Sequence, residues 1–199
     1  MPATVSPTPR TESSNAPASS RAYRFSRTQY ERMVDAGIFA PDQQVELING
    51  LIVPMSPQSS RHTITVERVR RVLDAHCPAG AYVRAQYPLA LGAASEPAPD
   101  VAVVPGSLEG HVDAHPTRAL LVVEVADTSL AYDREVKRTL YAAHGIPTYW
   151  IVNLSSSCVE VYTGPKDDDY ATKRTGARND RIPLPFAASD IACSDILPK

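Results

Sequence analysis

No stretch of this sequence approaches the ~20 consecutive apolar residues that a membrane helix requires. The longest candidate, Ala119 to Ala126, is strand-sized and broken by Glu124, so no membrane partner is expected. The opening residues Met1-Pro2-Ala3-Thr4-Val5 lack the basic start and apolar centre of a secretory signal. Cysteine is sparse. Cys77, Cys158 and Cys193 stand far apart and form no CxxC pair, so neither a disulfide framework nor a zinc knuckle is expected, and a cytoplasmic, reducing setting suits the chain best. A basic excess is missing too, since 20 Lys and Arg face 22 Asp and Glu for a net charge of −2. That excludes a protein holding nucleic acid chiefly by phosphate attraction. It leaves room for a nuclease, whose acidic metal site depresses the sum until a cation binds. There is no Gly-x-x-x-x-Gly-Lys loop for ATP, and no Gly-x-Ser-x-Gly elbow surrounds Ser155-Ser156-Ser157, which reads as a turn.

What is present is an ordinary globular composition, 43% hydrophobic and 21% charged over 199 residues, suited to one domain spanning 21–199. Residues 1–20 are Pro, Ser, Thr and Ala with few large apolar side chains. Such a segment cannot offset its ordering entropy by burial, so a disordered, dispensable tail is expected.

Ser26 followed by Gln29 forms a capping-box pattern, and Gly37 stands at a C-cap position, predicting a helix from about Arg27 to Ala36. Val45-Glu46-Leu47-Ile48 and Leu51-Ile52-Val53 flank Asn49-Gly50, the pair favoured in type I′ hairpins. Val45 and Leu47 are expected to face the core and Glu46 the opposite side. Ile64, Val66, Val69, Val72 and Leu73 recur near helical spacing, predicting an amphipathic helix that ends near Pro78. Strands are expected at Ala81–Gln86, Leu89–Leu91, Asp100–Val104, Leu120–Val125, Tyr149–Val152 and Val159–Tyr162. The continuously apolar 120–125 run implies burial on both faces. Asp133–His144 reads as a helix stopped by Gly145 and Pro147, Lys166–Asp169 as a hairpin tip, and Tyr170–Lys199 as an irregular or edge-strand tail. Helices flanking a mixed sheet make an α/β fold. Tyr149 and Trp150 are expected in its core, and His111 and His115 in a loop.

Carboxylates at the ends of buried strands are the informative anomaly, because an ionised carboxylate among Val and Leu is costly unless a cation or hydrogen bonds compensate it. Asp100 opens the strand Val101-Ala102-Val103-Val104, and Glu124 interrupts Leu121-Val122-Val123-Glu124-Val125. Were these strands neighbours, both carboxylates could converge on one hard cation. Equally, Asp100 could be a turn residue after Pro99, with Glu124 facing a solvated groove. Asp133 and Lys137 share an i, i+4 face; taken alone, such a pair is more often a surface salt bridge.

Pro99-Asp100, Glu124-Val125-Ala126, Asp133 and Lys137 together resemble the Uma-type restriction endonuclease family of the PD-(D/E)XK nuclease superfamily. Further landmarks are Val45 to Gly50, Met55-Ser56-Pro57 followed by His62, and Tyr141-Ala142-Ala143-His144-Gly145-Ile146-Pro147 leading to Tyr149-Trp150. The resemblance implies a restriction-endonuclease-like core, a mixed central sheet flanked by helices, with an N-terminal helix and β-hairpin. It implies a Mg²⁺-dependent endodeoxyribonuclease, with Mn²⁺ as substitute, acting on DNA through metal-activated water. Asp100, Glu124 and the Val125 carbonyl become the expected metal ligands, and Glu46, Asp100, Glu124 and Lys137 the expected catalytic set. His62 matches a family histidine but stays outside that set. Two departures stand out. Ala126 occupies the place of the usual lysine, which moves that role to Lys137, and Leu51 replaces an acidic residue found in many relatives. Arg68, Arg71, Arg134 and Arg138 could track a phosphate backbone or form a solvated face, and a homodimer is compatible with cutting two strands. The alternative is a non-catalytic nucleic-acid or protein interaction module retaining the fold.

Overall fold

The computed structural model describes residues 22–199; the tail expected at 1–20 lies outside the described residues. Helix α1, Arg27–Asp35, begins where Ser26 accepts a hydrogen bond from the Gln29 peptide and the Gln29 side chain accepts one from the Ser26 peptide. This reciprocal box satisfies two of the amides that a helix N-terminus leaves free. Strands β1, Val45–Ile48, and β2, Leu51–Pro54, pair antiparallel around Asn49 and Gly50. Both turn residues have positive φ, 49° and 79°, the type I′ geometry that matches strand twist.

Helix α2, Ser60–Ala75, capped by Ser59, precedes the main sheet. Its strands are β3 Ala81–Ala85, β4 Val101–Pro105, β5 Leu121–Ala126, β6 Thr148–Asn153, β7 Cys158–Lys166 and β8 Asp169–Ala177. They lie in that spatial order, with β5 and β6 parallel and every other neighbouring pair antiparallel. The connection from β5 to β6 carries a helical run: α3 Leu130–Tyr132, a π turn Asp133–Lys137, and α4 Arg138–Ala143. The chain ends with a small antiparallel pair, β9 Arg181–Pro183 and β10 Asp190–Ala192, followed by α5 Cys193–Ile196.

Strand alternation splits the core in two. Val101, Val103, Leu121, Val123 and Trp150 face α2, whose Val66, Val69 and Leu73 pack on them. Ala102, Val104, Val122, Ala126 and Tyr149 face the opposite layer, covered by Leu140, Tyr141 and Ile146. Asp100 and Glu124 share the even parity of this second face.

Three expectations need correction. Leu89–Leu91 forms no strand; Leu91 makes a single bridge to Ser95, since Pro88, Pro97 and Pro99 deny the segment a continuous ladder. The helix expected from Asp133 starts at Leu130 and contains the π turn. The C-terminal stretch does begin as the edge strand β8, but it is no loose tail: Ile182, Leu184, Ile191, Ile196 and Leu197 are all buried in the α2-side core. Its apolar residues come in short clusters broken by proline and polar residues, so no periodicity announces them. Glu46, expected opposite Val45 and Leu47, is 3% exposed, because that face of the hairpin is covered by the β5–β6 connection, whose Lys137 reaches it.

Candidate active site

Register brings the two strand carboxylates together. The β4–β5 ladder pairs Val101 with Val123, so one step outward Asp100 comes opposite Glu124. The Asp100 peptide N–H lies 3.4 Å from Glu124 Oε2, and the Val125 peptide donates to Asp100 Oδ2 at 2.8 Å. Within a strand the N–H and C=O of one residue point to the same side, so the Val125 carbonyl also faces Asp100.

The helical run supplies the cation. In the π turn the Arg138 N–H bonds to the Asp133 carbonyl, and the widened coil turns Asp133 and Lys137 inward, where both are buried. Such π turns are frequent at functional sites. Lys137 Nζ stands 3.0 Å from Glu124 Oε1 and 3.3 Å from Glu46 Oε1. One turn on, the Tyr141 hydroxyl donates to Glu124 Oε1 at 2.7 Å. Glu46 Oε2 accepts from the Ala98 peptide at 3.2 Å, Asp133 Oδ2 from the Ser129 hydroxyl at 2.6 Å, and His62 Nε2 lies 3.1 Å from Asp100 Oδ2. Apart from Tyr141, which lies behind Glu124, these groups line one cavity of about 300 Å³.

Four carboxylates, Glu46, Asp100, Glu124 and Asp133, thus share one cavity with one ammonium, and all five residues are at most 7% exposed. Charge does not balance there. Burial, reinforced by neighbouring Asp100, Asp133 and Glu46, pushes the Glu124 carboxyl up to about 8 against the pull of Lys137. Burial likewise raises Asp133 to about 6. Burial works against the Lys137 ammonium, but Glu124, Glu46 and Asp133 outweigh it and raise its pKa, so the lysine stays protonated. For His62 the hydrogen bond and charge of Asp100 outweigh burial and shift the imidazole upward.

The structure therefore brings together all four residues singled out from the sequence, Glu46, Asp100, Glu124 and Lys137, with Val125 beside them. The periodicity of the sequence did not single out Tyr141, although its place four residues after Lys137 put it on the same face. His62 and Asp133 were noticed but left out of the set; His62 contacts Asp100, and Asp133 lines the same cavity. The arginines are otherwise engaged. Arg68 bonds to the Ser194 and Asp195 carbonyls, Arg71 to Glu67, Arg134 to Glu160 and Arg138 to Asp169.

The donor set suits a hard cation. Every candidate ligand is an oxygen, and Mg²⁺ is held by one or two carboxylates with water and phosphate completing its shell. Asp100 Oδ1 accepts no hydrogen bond among the described residues, and Glu124 Oε2 has only the long contact from the Asp100 peptide. Among the described residues no three His, Cys, Asp or Glu side chains form a ready-made cage; two carboxylates and a peptide carbonyl are what this site offers.

Comparison with known proteins gives the family and the fold. The family model named Uma2, described as "Putative restriction endonuclease", matches residues 27–194. A solved structure described as "a putative nuclease belonging to DUF820", from Anabaena variabilis, superposes with a TM-score of 0.63 at 15% identity, covering 78% of this chain and 90% of that one. It has the same fold. No curated protein matches the chain.

Proposed function

Because the chain belongs to the Uma2 family, we propose that it is an endonuclease hydrolysing phosphodiester bonds of DNA with a divalent cation, Mg²⁺ or in its place Mn²⁺. One observation carries the reading: the excess of buried carboxylate over buried ammonium in a single cavity, which a hard cation and a phosphodiester would together balance. Asp100, Glu124 and the Val125 carbonyl would hold the ion, which when bound polarises a phosphoryl oxygen and lowers the pKa of water.

The remaining work falls to side chains. Lys137, kept protonated by its carboxylate neighbours, cannot serve as a base; it donates hydrogen bonds and offsets negative charge developing on the phosphoryl group. Glu46 holds Lys137 from the hairpin side and is a carboxylate outside the metal pair available to take a proton from the attacking water. His62 and Tyr141 are positioning residues, engaging one oxygen of Asp100 and of Glu124 respectively. Its three cysteines are free thiols, in keeping with a cytoplasmic site of action.

Purified protein incubated with Mg²⁺ or Mn²⁺ and end-labelled DNA or RNA tests the proposal. Cation-dependent cleavage of DNA that disappears in Lys137→Ala is expected. A protein that binds no divalent ion and cuts neither polymer would instead be an interaction module of the same fold.

A further inference from the structure

A second cavity of about 430 Å³ opens beside the first, and Met55, Gln58 and Ala98 line both. The chemistry changes abruptly between them. The first is ringed by carboxylates and Lys137, whereas none of the described residues lining the second is Asp, Glu, Lys or Arg. Its wall is Phe39, whose ring is 5.9 Å from that of Tyr30, together with Met55. Its rim carries glutamine side chains. The amides of Gln44, Gln58 and Gln86 have no hydrogen-bond partner among the described residues, unlike that of Gln43, whose Oε1 accepts from the Ala40 peptide.

Gln86 ties the two cavities together. It holds a left-handed backbone, φ 59°, which is uncommon for a residue with a side chain and tends to persist where function over-determines it. In that conformation its N–H points at the Pro99 and Asp100 carbonyls, 3.1 Å from each. The same residue thus braces the segment presenting Asp100 and offers an amide to the second cavity.

An uncharged slot with an aromatic wall and free amides does not suit phosphate. It suits a planar, neutral group with donors and acceptors on its edge. Aromatic faces stack unpaired bases regardless of identity, and Gln amides read base edges. We propose that this cavity holds the unpaired nucleobase next to the phosphodiester lying over Asp100 and Lys137, so that the DNA strand is gripped one base from the cut. The inference rests on the nuclease reading above and adds the substrate form: a single strand, or a base turned out of a duplex.

The test is an end-labelled single-stranded DNA carrying one central abasic residue, digested by the full chain with Mn²⁺ and read at every phosphate. Cleavage beside the abasic residue should fall about ten-fold relative to distant phosphates of the same strand, and Phe39→Ala should erase that dip. Uniform cleavage through the abasic position by the unmutated protein overturns the base slot and leaves the nuclease reading standing. If no strand is cut, the nuclease reading fails, and fluorescence anisotropy of the intact and abasic strands in Ca²⁺ decides the slot. Tighter, Phe39-dependent binding of the intact strand supports it; equal affinity, or no binding, overturns it. Should Phe39→Ala fail to fold, Gln44→Ala takes its place, expected to alter the preference among the four bases at that position; an unchanged preference counts against the slot.

Discussion

Asp100 stands opposite Glu124 one step beyond the last β4–β5 pair, its peptide N–H 3.4 Å from Glu124 Oε2. The backbone therefore holds the two carboxylates side by side before any ion arrives. Replacing Asp100 by Asn keeps the shape and an acceptor for the Val125 peptide but removes a charge. Asp100→Asn should fold normally, lose the heat of Mg²⁺ or Mn²⁺ binding in calorimetry, and lose cleavage. Undiminished metal binding would remove Asp100 from the ligand set.

Lys137→Ala should fail differently. Removing one partner of a buried ion pair typically costs about 3–5 kcal/mol, so its melting temperature should drop in cation-free buffer. Mn²⁺ should then raise that temperature more than it does in the unmutated protein, because the carboxylates of Glu46 and Glu124 have lost the ammonium between them. Cleavage should stay absent in the stabilised variant. A variant as stable as its parent without cation would show that the lysine is not needed to balance the site.

Glu160 offers a pH test away from the site. Burial alone would raise its carboxyl, but hydrogen bonds from Arg134, Lys173 and Tyr162 outweigh it and hold the group at about 2. A lowered folded-state pKa contributes stability above the unfolded value of 4.5, and that contribution is lost as pH falls through 2. Glu160→Gln should cost roughly 2 kcal/mol at pH 7, the scale of charge-assisted hydrogen bonds. Urea unfolding should show the gap between parent and variant closing below about pH 4.5; a constant gap would contradict the assignment.

Gly50 has φ 79°, and a Cβ there would come within 2.7 Å of the Arg24 Cβ. Gly50→Ala combines left-handed strain with a clash, so a loss above about 1 kcal/mol is expected. A thermal melt within a degree of the parent would show that the Arg24 segment shifts freely.

Deleting 181–199 should prevent folding. Ile182, Leu184, Ile191, Ile196 and Leu197 are all buried, and burying each such side chain contributes about 1.5–3 kcal/mol, a sum comparable with the whole stability of a domain. A truncated chain with a cooperative thermal transition would show that this cap is an accessory.

Much was legible in local pattern. The capping box at Ser26 and Gln29, the Asn49-Gly50 turn and the unbroken apolar run before Glu124 each report interactions between residues a few positions apart. Such interactions need no knowledge of the rest of the chain. Parity also put Asp100 with Ala102 and Glu124 with Val122, so that any antiparallel pairing in the right register would set both carboxylates on one face. The resemblance carried by those residues moved the lysine's role from position 126 to Lys137.

By itself, then, the sequence determined most of the helices and strands and which carboxylates sit where charge is costly. Tertiary structure decided what those carboxylates touch. Glu46, expected on the hairpin face away from Val45 and Leu47, meets Lys137 only because the β5–β6 connection covers that face, and Tyr141 and His62 reached Glu124 and Asp100 only because α4 and α2 dock on opposite faces of one sheet. The π turn that aims Lys137 and the burial of the C-terminal cap likewise follow from packing. The physical reason is range: hydrogen-bonded turns and side-chain periodicity act over a few residues, whereas register, helix docking and the electrostatic balance of a buried cavity arise between segments tens of residues apart.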